Sequence, residues 1–153
     1  MSNAARYYDR MSERYTQERD KGFLGLLVRR ERRAIAAMLE VRPGETVLDA
    51  GCGSGDYSQL ILELGGIPFG VDISAEMIRI YKARGFQGSQ ADLASLELNT
   101  KFSAILCAGP LEFVPAVGQA VASLTRHLEP GGRMLCLLPR RNIMGALYWL
   151  YHR

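Results

Sequence analysis

The sequence lacks the features that mark membrane and secreted proteins. Among its 153 residues, no apolar run approaches the roughly 18–20 positions that a membrane-spanning helix needs. The N-terminus has no apolar core of the kind that signal peptides carry. We therefore expect a cytoplasmic protein without a membrane span.

Cysteine is scarce and shows neither metal-ligand nor redox spacing. The three residues, Cys52, Cys107 and Cys136, each lie in or beside an apolar, strand-like run. This pattern is typical of reduced cysteines packed in the core of a cytosolic protein. The sequence therefore predicts no metal site.

The net charge of +3 arises from the two ends of the chain. Residues 43–139 carry a net charge of −4, whereas residues 1–42 carry +4 and residues 140–153 carry +3. The arginines near position 30 are interleaved with Glu31 at helical spacing, as on a solvated helix face. Neither a zinc spacing nor an aromatic-rich binding motif accompanies the positive charge, so no nucleic-acid partner is expected.

Short apolar runs alternate with segments of helical periodicity along the chain. The predicted strands are Thr46–Ala50, Ile67–Val71, Phe86–Ala91, Ser103–Ala108 and Arg133–Leu138. The predicted helices are Phe23–Val41, Tyr57–Leu64, Ala75–Arg84 and Val114–Leu128, with a further helix-like segment over 142–153. The alternation predicts βαβ units in a single domain, and hence an α/β fold with a mostly parallel sheet.

The segment VLDAGCGSGDYS, residues 47–58, joins the first predicted strand to the next helix through Gly51, Gly53 and Gly55. A tight turn without a ligand needs one or two glycines. Three in alternation, at the carboxyl end of a strand in a parallel sheet, favour a ligand site.

This segment departs from the dinucleotide-binding fingerprint. That pattern places a third glycine three residues after the second, where this chain has Asp56. Asp49 precedes the first glycine by two residues, and its carboxylate would repel a pyrophosphate. The combination disfavours NAD and favours a nucleoside that carries positive charge.

VLDAGCGSG resembles the first motif of class I S-adenosylmethionine-dependent methyltransferases, and the resemblance extends over about residues 43–139. It implies a Rossmann-like, three-layer α/β/α fold with S-adenosyl-L-methionine as cofactor and S-adenosyl-L-homocysteine as product. It also implies that Asp49 and the backbone of Gly51–Gly55, which includes Cys52, surround the methionine part of the cofactor.

Asp72, in GVDIS, resembles the acidic residue that ends the second strand in this family and binds both ribose hydroxyls. It lies 21 residues after Gly51, close to the usual ribose position. A carboxylate has two acceptor oxygens and can hold two adjacent hydroxyls. Ile73, the next residue, belongs to the same predicted site.

Asp92, in QADLASL, resembles the family's acid that accepts from the adenine amino group, with the Leu93 backbone beside the ring. For Asp72 and Asp92 an alternative stays open, namely that each caps a helix or lies in a solvated loop. The segment CAGPLEFV, residues 107–114, resembles the one that lines the reaction site and places Ala108 beside the cofactor.

Methyl transfer from a sulfonium is a single displacement that depends on alignment and exclusion of water. It requires neither a catalytic triad nor a metal, and a base matters only when the acceptor must lose a proton. Glu112, after the fourth predicted strand, is a candidate for holding or deprotonating a substrate, with a solvated or capping role as the alternative.

Residues 1–42 are expected to form an N-terminal helical lid or substrate segment, with Tyr7, Tyr8 and Tyr15 over the cofactor, and residues 43–153 the cofactor-binding domain. In the family the sheet has seven strands, and this chain ends inside the helix after the fifth. We therefore expect a fragment without the sixth and seventh strands, or a second copy or partner chain that covers the exposed sheet edge.

The predicted function is methyl transfer from S-adenosylmethionine to an unidentified, small-molecule acceptor. A cofactor-binding or regulatory module without activity is the alternative from another class. Aminopropyl transfer shares the fold, but it needs several acids after strand four, where the chain offers only Glu112.

Overall fold

The structure is a computed structural model that describes residues 22–138, with side chains described from residue 28 onward. The elements are α1 (Gly22–Leu39), β1 (Thr46–Ala50), α2 (Asp56–Glu63), β2 (Ile67–Asp72), α3 (Ala75–Ala83), β3 (Gln87–Gln90), β4 (Phe102–Ala108), α4 (Val117–Arg126) and β5 (Leu128–Leu137). Short 3-10 turns lie at Leu93–Ser95 and Pro110–Phe113. The N-terminal tyrosines and the helix-like segment over 142–153 lie outside the described residues.

The five strands form one parallel sheet in the order β3-β2-β1-β4-β5, which confirms the predicted α/β fold. The chain builds outward from β1 to β3, then returns to place β4 on the other side of β1. The strand order therefore reverses between β1 and β4. In such sheets, ligands bind in the crevice at the carboxyl ends of the strands where this reversal occurs.

Alternation along the two central strands assigns side chains to the two faces of the sheet. Val47, Ala104 and Leu106 pack with residues of α1 and α2. Leu48 and Ile105 face the other way and pack with residues of α4 and the first 3-10 turn. Both faces are covered, which explains why the strands are continuously apolar and confirms the three-layer arrangement.

Most predicted element bounds agree with the structure to within one or two residues. Ser74 caps α3 as predicted, because its side chain accepts a hydrogen bond from the Met77 backbone N–H at 3.1 Å. None of the described helices is long and apolar enough to cross a membrane.

The helix predicted over Val114–Leu128 was wrong at its beginning. Its helical part, α4, starts at Val117, and a separate 3-10 turn occupies Pro110–Phe113. Pro115 explains the break, because a residue that precedes proline is pushed out of the helical region. Val114 accordingly has an extended backbone, with ψ at 116°.

The last strand was predicted over Arg133–Leu138 but begins at Leu128. Leu128 pairs with Phe102, and Arg133 pairs with Ala104. Four residues, 129–132, therefore stand opposite a single residue of β4. The sequence EPGG forms an excursion within β5 instead of a turn that precedes the strand.

Arg133 fastens the C-terminal end of α1 to the edge strand β5. Its guanidinium donates to the backbone carbonyls of Leu39 and Glu40 and to the carboxylate of Glu45. The hydrogen bond from Arg133 and a second one from the Arg42 backbone N–H lower the pKa of Glu45 to about 2. The carboxylate is therefore more acidic in the folded chain than in the unfolded one.

This shift predicts that Glu45 stabilises the fold in a pH-dependent way. Because the folded-state pKa is depressed, the contribution is complete above the ordinary value of 4.5 and is lost as the pH falls toward 2. At pH 7, Glu45→Gln is expected to lower the free energy of unfolding by about 1 kcal/mol, a figure reduced for solvent screening because 31% of the Arg133 side chain and 16% of the Glu45 side chain are exposed. Urea unfolding of both proteins at pH 7 and pH 3 measures it.

The matched control is Glu76→Gln, which removes an exposed carboxylate that pairs with Arg79 on the surface of α3. A much smaller change is expected there. If the cost of Glu45→Gln were the same at pH 7 and pH 3, the assignment of the stabilisation to the ionised carboxylate would be wrong.

Candidate functional site

The glycines of the loop between β1 and α2 differ in what surrounds them. A Cβ atom on Gly51 would lie 2.5 Å from Cγ of Pro110, and one on Gly55 would lie 2.9 Å from the ring of Tyr81. Packing within the chain therefore accounts for two of the three glycines. A Cβ on Gly53 would meet nothing within 4 Å. The inference of a ligand from glycine spacing thus rests on Gly53, where the backbone borders open space.

The backbone N–H groups of this loop are largely used inside the protein. Those of Gly51 and Cys52 both donate to the Val71 carbonyl, at 2.7 and 3.0 Å, and that of Gly55 donates to the Cys52 carbonyl. The Gly53 N–H donates to the Asp72 carboxylate. A loop that binds a pyrophosphate directs such groups at the ligand. In this loop the N–H groups of all three glycines and of Cys52 are bonded within the protein, which supports the sequence argument against a dinucleotide.

Asp72 lies at the carboxyl end of β2, next to the glycine loop. One carboxylate oxygen accepts from the Gly53 N–H at 2.9 Å, and the other accepts from the Ser74 N–H at 2.9 Å. These two contacts fix the plane of a half-buried carboxylate at the carboxyl end of β2. A carboxylate accepts about four hydrogen bonds in total, so this orientation is compatible with binding hydroxyl groups as well.

Asp49 lies in the interior of the protein, with 1% of its surface exposed. It accepts a hydrogen bond of 2.7 Å from the Ser58 hydroxyl, which is in turn 2.7 Å from the Tyr81 hydroxyl. Burial raises the pKa of Tyr81, so the phenol stays protonated. The network joins β1, α2 and α3 beneath the loop, and sequence reasoning missed Ser58 and Tyr81 because only the fold brings them to Asp49.

The Cys52 side chain belongs to a small apolar cluster with Ile78 and Tyr81. Only 6% of Cys52 is exposed, and burial strongly raises the pKa of its thiol. The thiol is therefore a packing group without nucleophilic character. The predicted contact of Cys52 with the cofactor would be made by its backbone and stays a prediction.

The residues predicted to hold adenine, Asp92 and Leu93, follow β3, which is one strand further from β1 than the strand that carries Asp72. Asp92 is exposed and accepts from the Ala94 N–H at 2.9 Å, which caps the first 3-10 turn. The Leu93 side chain is buried in the core, and the Ile73 carbonyl accepts from the Gln90 side chain at 3.0 Å. Asp92 therefore has the capping role that the sequence left open. Its contact with adenine stays a prediction.

Glu112 lies on the second 3-10 turn, directly after β4 and Ala108. Its Oε2 atom is buried and has no hydrogen-bond partner among the described residues. Burial raises the pKa of this carboxyl. Among the predicted site residues, Glu112 is the one with a buried oxygen that receives no hydrogen bond from the described residues.

The structure brings together the glycine loop, Asp72 and the turn that carries Glu112. Gly53 is bonded to Asp72, and Gly51 contacts Pro110 of that turn. Across the part of the chain that the structure describes, no group of three acidic, histidine or cysteine side chains is placed to hold a metal ion.

A doubly wound parallel sheet, a glycine loop after β1 and an acid at the end of β2 are the features of a Rossmann-like, nucleotide-binding fold. The methyltransferase domain family matches residues 48–136, more than half of the chain. The chain belongs to the class I S-adenosylmethionine-dependent methyltransferase family, as its sequence motifs predict.

Among curated relatives, demethylmenaquinone methyltransferase of Tropheryma whipplei is 35% identical over 130 residues, which cover 80% of this chain and 54% of the relative. Ubiquinone biosynthesis O-methyltransferase of Idiomarina loihiensis is 29% identical over 112 residues, which cover 68% of this chain and 46% of the relative. The chain therefore spans about half the length of the curated relatives it matches.

Among solved structures, the fold is similar to a complex between the Haloferax volcanii Trm112 methyltransferase activator and a putative methyltransferase. The TM-score is 0.76 at 21% identity, over 94% of this chain and 66% of that one. At this identity the likeness supports the fold.

Proposed function

We propose that this chain binds S-adenosylmethionine at the crevice between β1 and β4 and transfers its methyl group to a small-molecule acceptor (EC 2.1.1.-). The observation that carries the proposal is the bond between Gly53 and Asp72. The bond holds Gly53, whose backbone borders open space, next to the oriented carboxylate of Asp72, at the end of the strand beside β1.

The proposed roles follow the position of each group. Asp72 accepts hydrogen bonds from the ribose hydroxyls, with Ile73 beside it, and the backbone of Gly51–Gly55 borders the methionine part. Asp92 and the Leu93 backbone hold adenine, and Ala108 borders the reacting centre. When bound, the cofactor supplies an electrophilic methyl group on a positively charged sulfur. The chain binds and orients the reactants and excludes water.

The acceptor that we propose is a small aromatic molecule of quinone type. The support is the names of the curated relatives, which act on demethylmenaquinone and in ubiquinone biosynthesis. We place the protein in the cytoplasm, which the three free cysteines support, because they indicate a reducing compartment.

We propose further that residues 43–153 carry the cofactor site and that residues 1–42 close over it. α1 is fixed to the sheet through Ile35 and Leu39, both with no exposed surface. We also propose that a second copy or a partner covers the open side of β5, which has one neighbour within the described sheet. The Haloferax volcanii neighbour was solved with an activator protein, which supports a partner of that kind.

Calorimetric titration of the purified chain with S-adenosylmethionine and S-adenosylhomocysteine tests the proposal. We expect micromolar binding of both, and no binding of NAD under the same conditions. A folded chain that binds neither ligand would refute the proposed cofactor site. Binding without methyl transfer to any quinol or phenol tested would favour the alternative of a binding module.

A further inference from the structure

Glu112 carries a buried carboxylate oxygen for which the described protein provides no donor. Oε2 of Glu112 has no hydrogen-bond partner, and it is the one buried side-chain atom of this kind within the described residues. Leaving such an atom unpaired costs stability, more so when it bears charge, and native proteins keep few of them. An unpaired carboxylate oxygen therefore calls for a function.

The turn that carries Glu112 is firmly held at the carboxyl ends of β1 and β4. The Pro110 ring packs on Gly51, as the close approach at that glycine shows. The Gly109 N–H donates to the Leu137 carbonyl at 3.1 Å, and Leu111 is 4% exposed in the core. Glu112 is thus attached to the same loop that is proposed to border the methionine part of the cofactor.

The other acids of the site have donors in the chain itself. Asp49 accepts from Ser58, Asp72 accepts from two backbone N–H groups, and Asp92 accepts from Ala94. The sequence argument assigned the ligand's positive charge to Asp49, which is 1% exposed and bonded to Ser58. Glu112 is half-buried, and its Oε2 atom is the buried acidic oxygen that receives no hydrogen bond from the described residues.

We propose that Glu112 faces the positively charged, methyl-bearing centre of the bound cofactor and so distinguishes the methyl donor from its demethylated product. This rests on the proposed function. A carboxylate attracts the sulfonium of S-adenosylmethionine, and the attraction is strengthened by burial. S-adenosylhomocysteine, the demethylated product, would present a neutral sulfur at the same place, where this attraction is absent. Glu112 therefore favours binding of the donor and release of the product.

The test compares three ligands that share the adenosine and amino-acid parts and differ at one position. S-adenosylmethionine has a sulfonium there, sinefungin has an amine, and S-adenosylhomocysteine has a neutral sulfur. In Glu112→Gln the affinity for the two cationic ligands is expected to fall by about tenfold, the scale of a partly screened ion pair, and that for S-adenosylhomocysteine by less than twofold.

Glu97→Gln is the matched control, because it removes an exposed carboxylate between β3 and β4 and is expected to change none of the three affinities. Glu112→Asp keeps the charge and is expected to retain part of the preference for cationic ligands. It serves as the second variant if Glu112→Gln fails to fold.

An equal loss for all three ligands in Glu112→Gln, or no loss for any, would overturn the assignment of Glu112 to the methyl-bearing centre while the proposed function stands. A wild-type chain that binds none of the three would overturn the proposed function and this inference together. A loss confined to the two cationic ligands supports it.

Discussion

Replacing Asp72 with alanine is expected to weaken binding of S-adenosylmethionine by about a hundredfold, the scale of two lost hydrogen bonds to a charged group. The carboxylate is proposed to hold the ribose, and it also fixes the loop through Gly53. Removing it leaves the Gly53 and Ser74 N–H groups without this acceptor. Calorimetry with S-adenosylmethionine and S-adenosylhomocysteine measures the loss, which is expected to be equal for the two ligands because they share the ribose.

Two further variants distinguish a loss of affinity at the ribose from a loss caused by a disturbed fold. Asp72→Asn keeps one acceptor oxygen and is expected to lose less affinity than Asp72→Ala. Glu76→Ala removes a nearby acid from the exposed face of α3, where it pairs with Arg79, and is expected to bind normally. An Asp72→Ala variant that is folded and retains wild-type affinity would exclude Asp72 from the cofactor site.

Gly51→Ala is expected to lower the free energy of unfolding by about 3 kcal/mol, by adding an overpacked contact to a strained backbone. Gly51 has a φ of +79°, and its Cβ would lie 2.5 Å from Cγ and 2.6 Å from Cβ of Pro110. The Pro110 turn would have to move away from the loop, taking Glu112 with it. Urea unfolding measures the cost, and circular dichroism confirms that the variant folds.

Gly53→Ala is the matched control within the same loop. Gly53 also has a positive φ, +52°, but its Cβ would meet nothing within 4 Å. The cost is therefore expected to be about 1 kcal/mol, from the left-handed backbone alone. If the two alanine variants were equally destabilised, the contact between Gly51 and the Pro110 turn would not be a constraint on the loop.

The contrast between these two glycines shows where sequence reasoning is weak. Spacing alone treated Gly51, Gly53 and Gly55 as equivalent signals of a ligand. The structure separates them, because Pro110 packs on Gly51 and Tyr81 packs on Gly55, and both neighbours are distant in the sequence. Such neighbours cannot be identified from a local pattern, so the number of glycines overstated what each one says about a ligand.

The two errors in element bounds have different causes. The break before α4 had a local signal in Pro115, which the apolar periodicity of the surrounding residues obscured. The start of β5 had none, because Leu128 becomes part of the strand through its pairing with Phe102 across an irregular stretch of the sheet. Strand ends depend on a partner strand and are therefore difficult to place from one segment.

The sequence by itself determined the class of fold, its cofactor family and the positions of the acids that follow the strands. The fold class depends on local properties such as the period of apolar residues and the cap at Ser74, and the cofactor family was implied by the resemblance of the segments around Gly51 and Asp72 to motifs of a known family. Tertiary structure decided how deeply each acid lies and which groups from other segments it meets, for example Ser58 for Asp49 and Gly53 for Asp72. Asp49 is bonded within the core, Asp72 is oriented by two backbone N–H groups, and one carboxylate oxygen of the half-buried Glu112 is buried without a described partner.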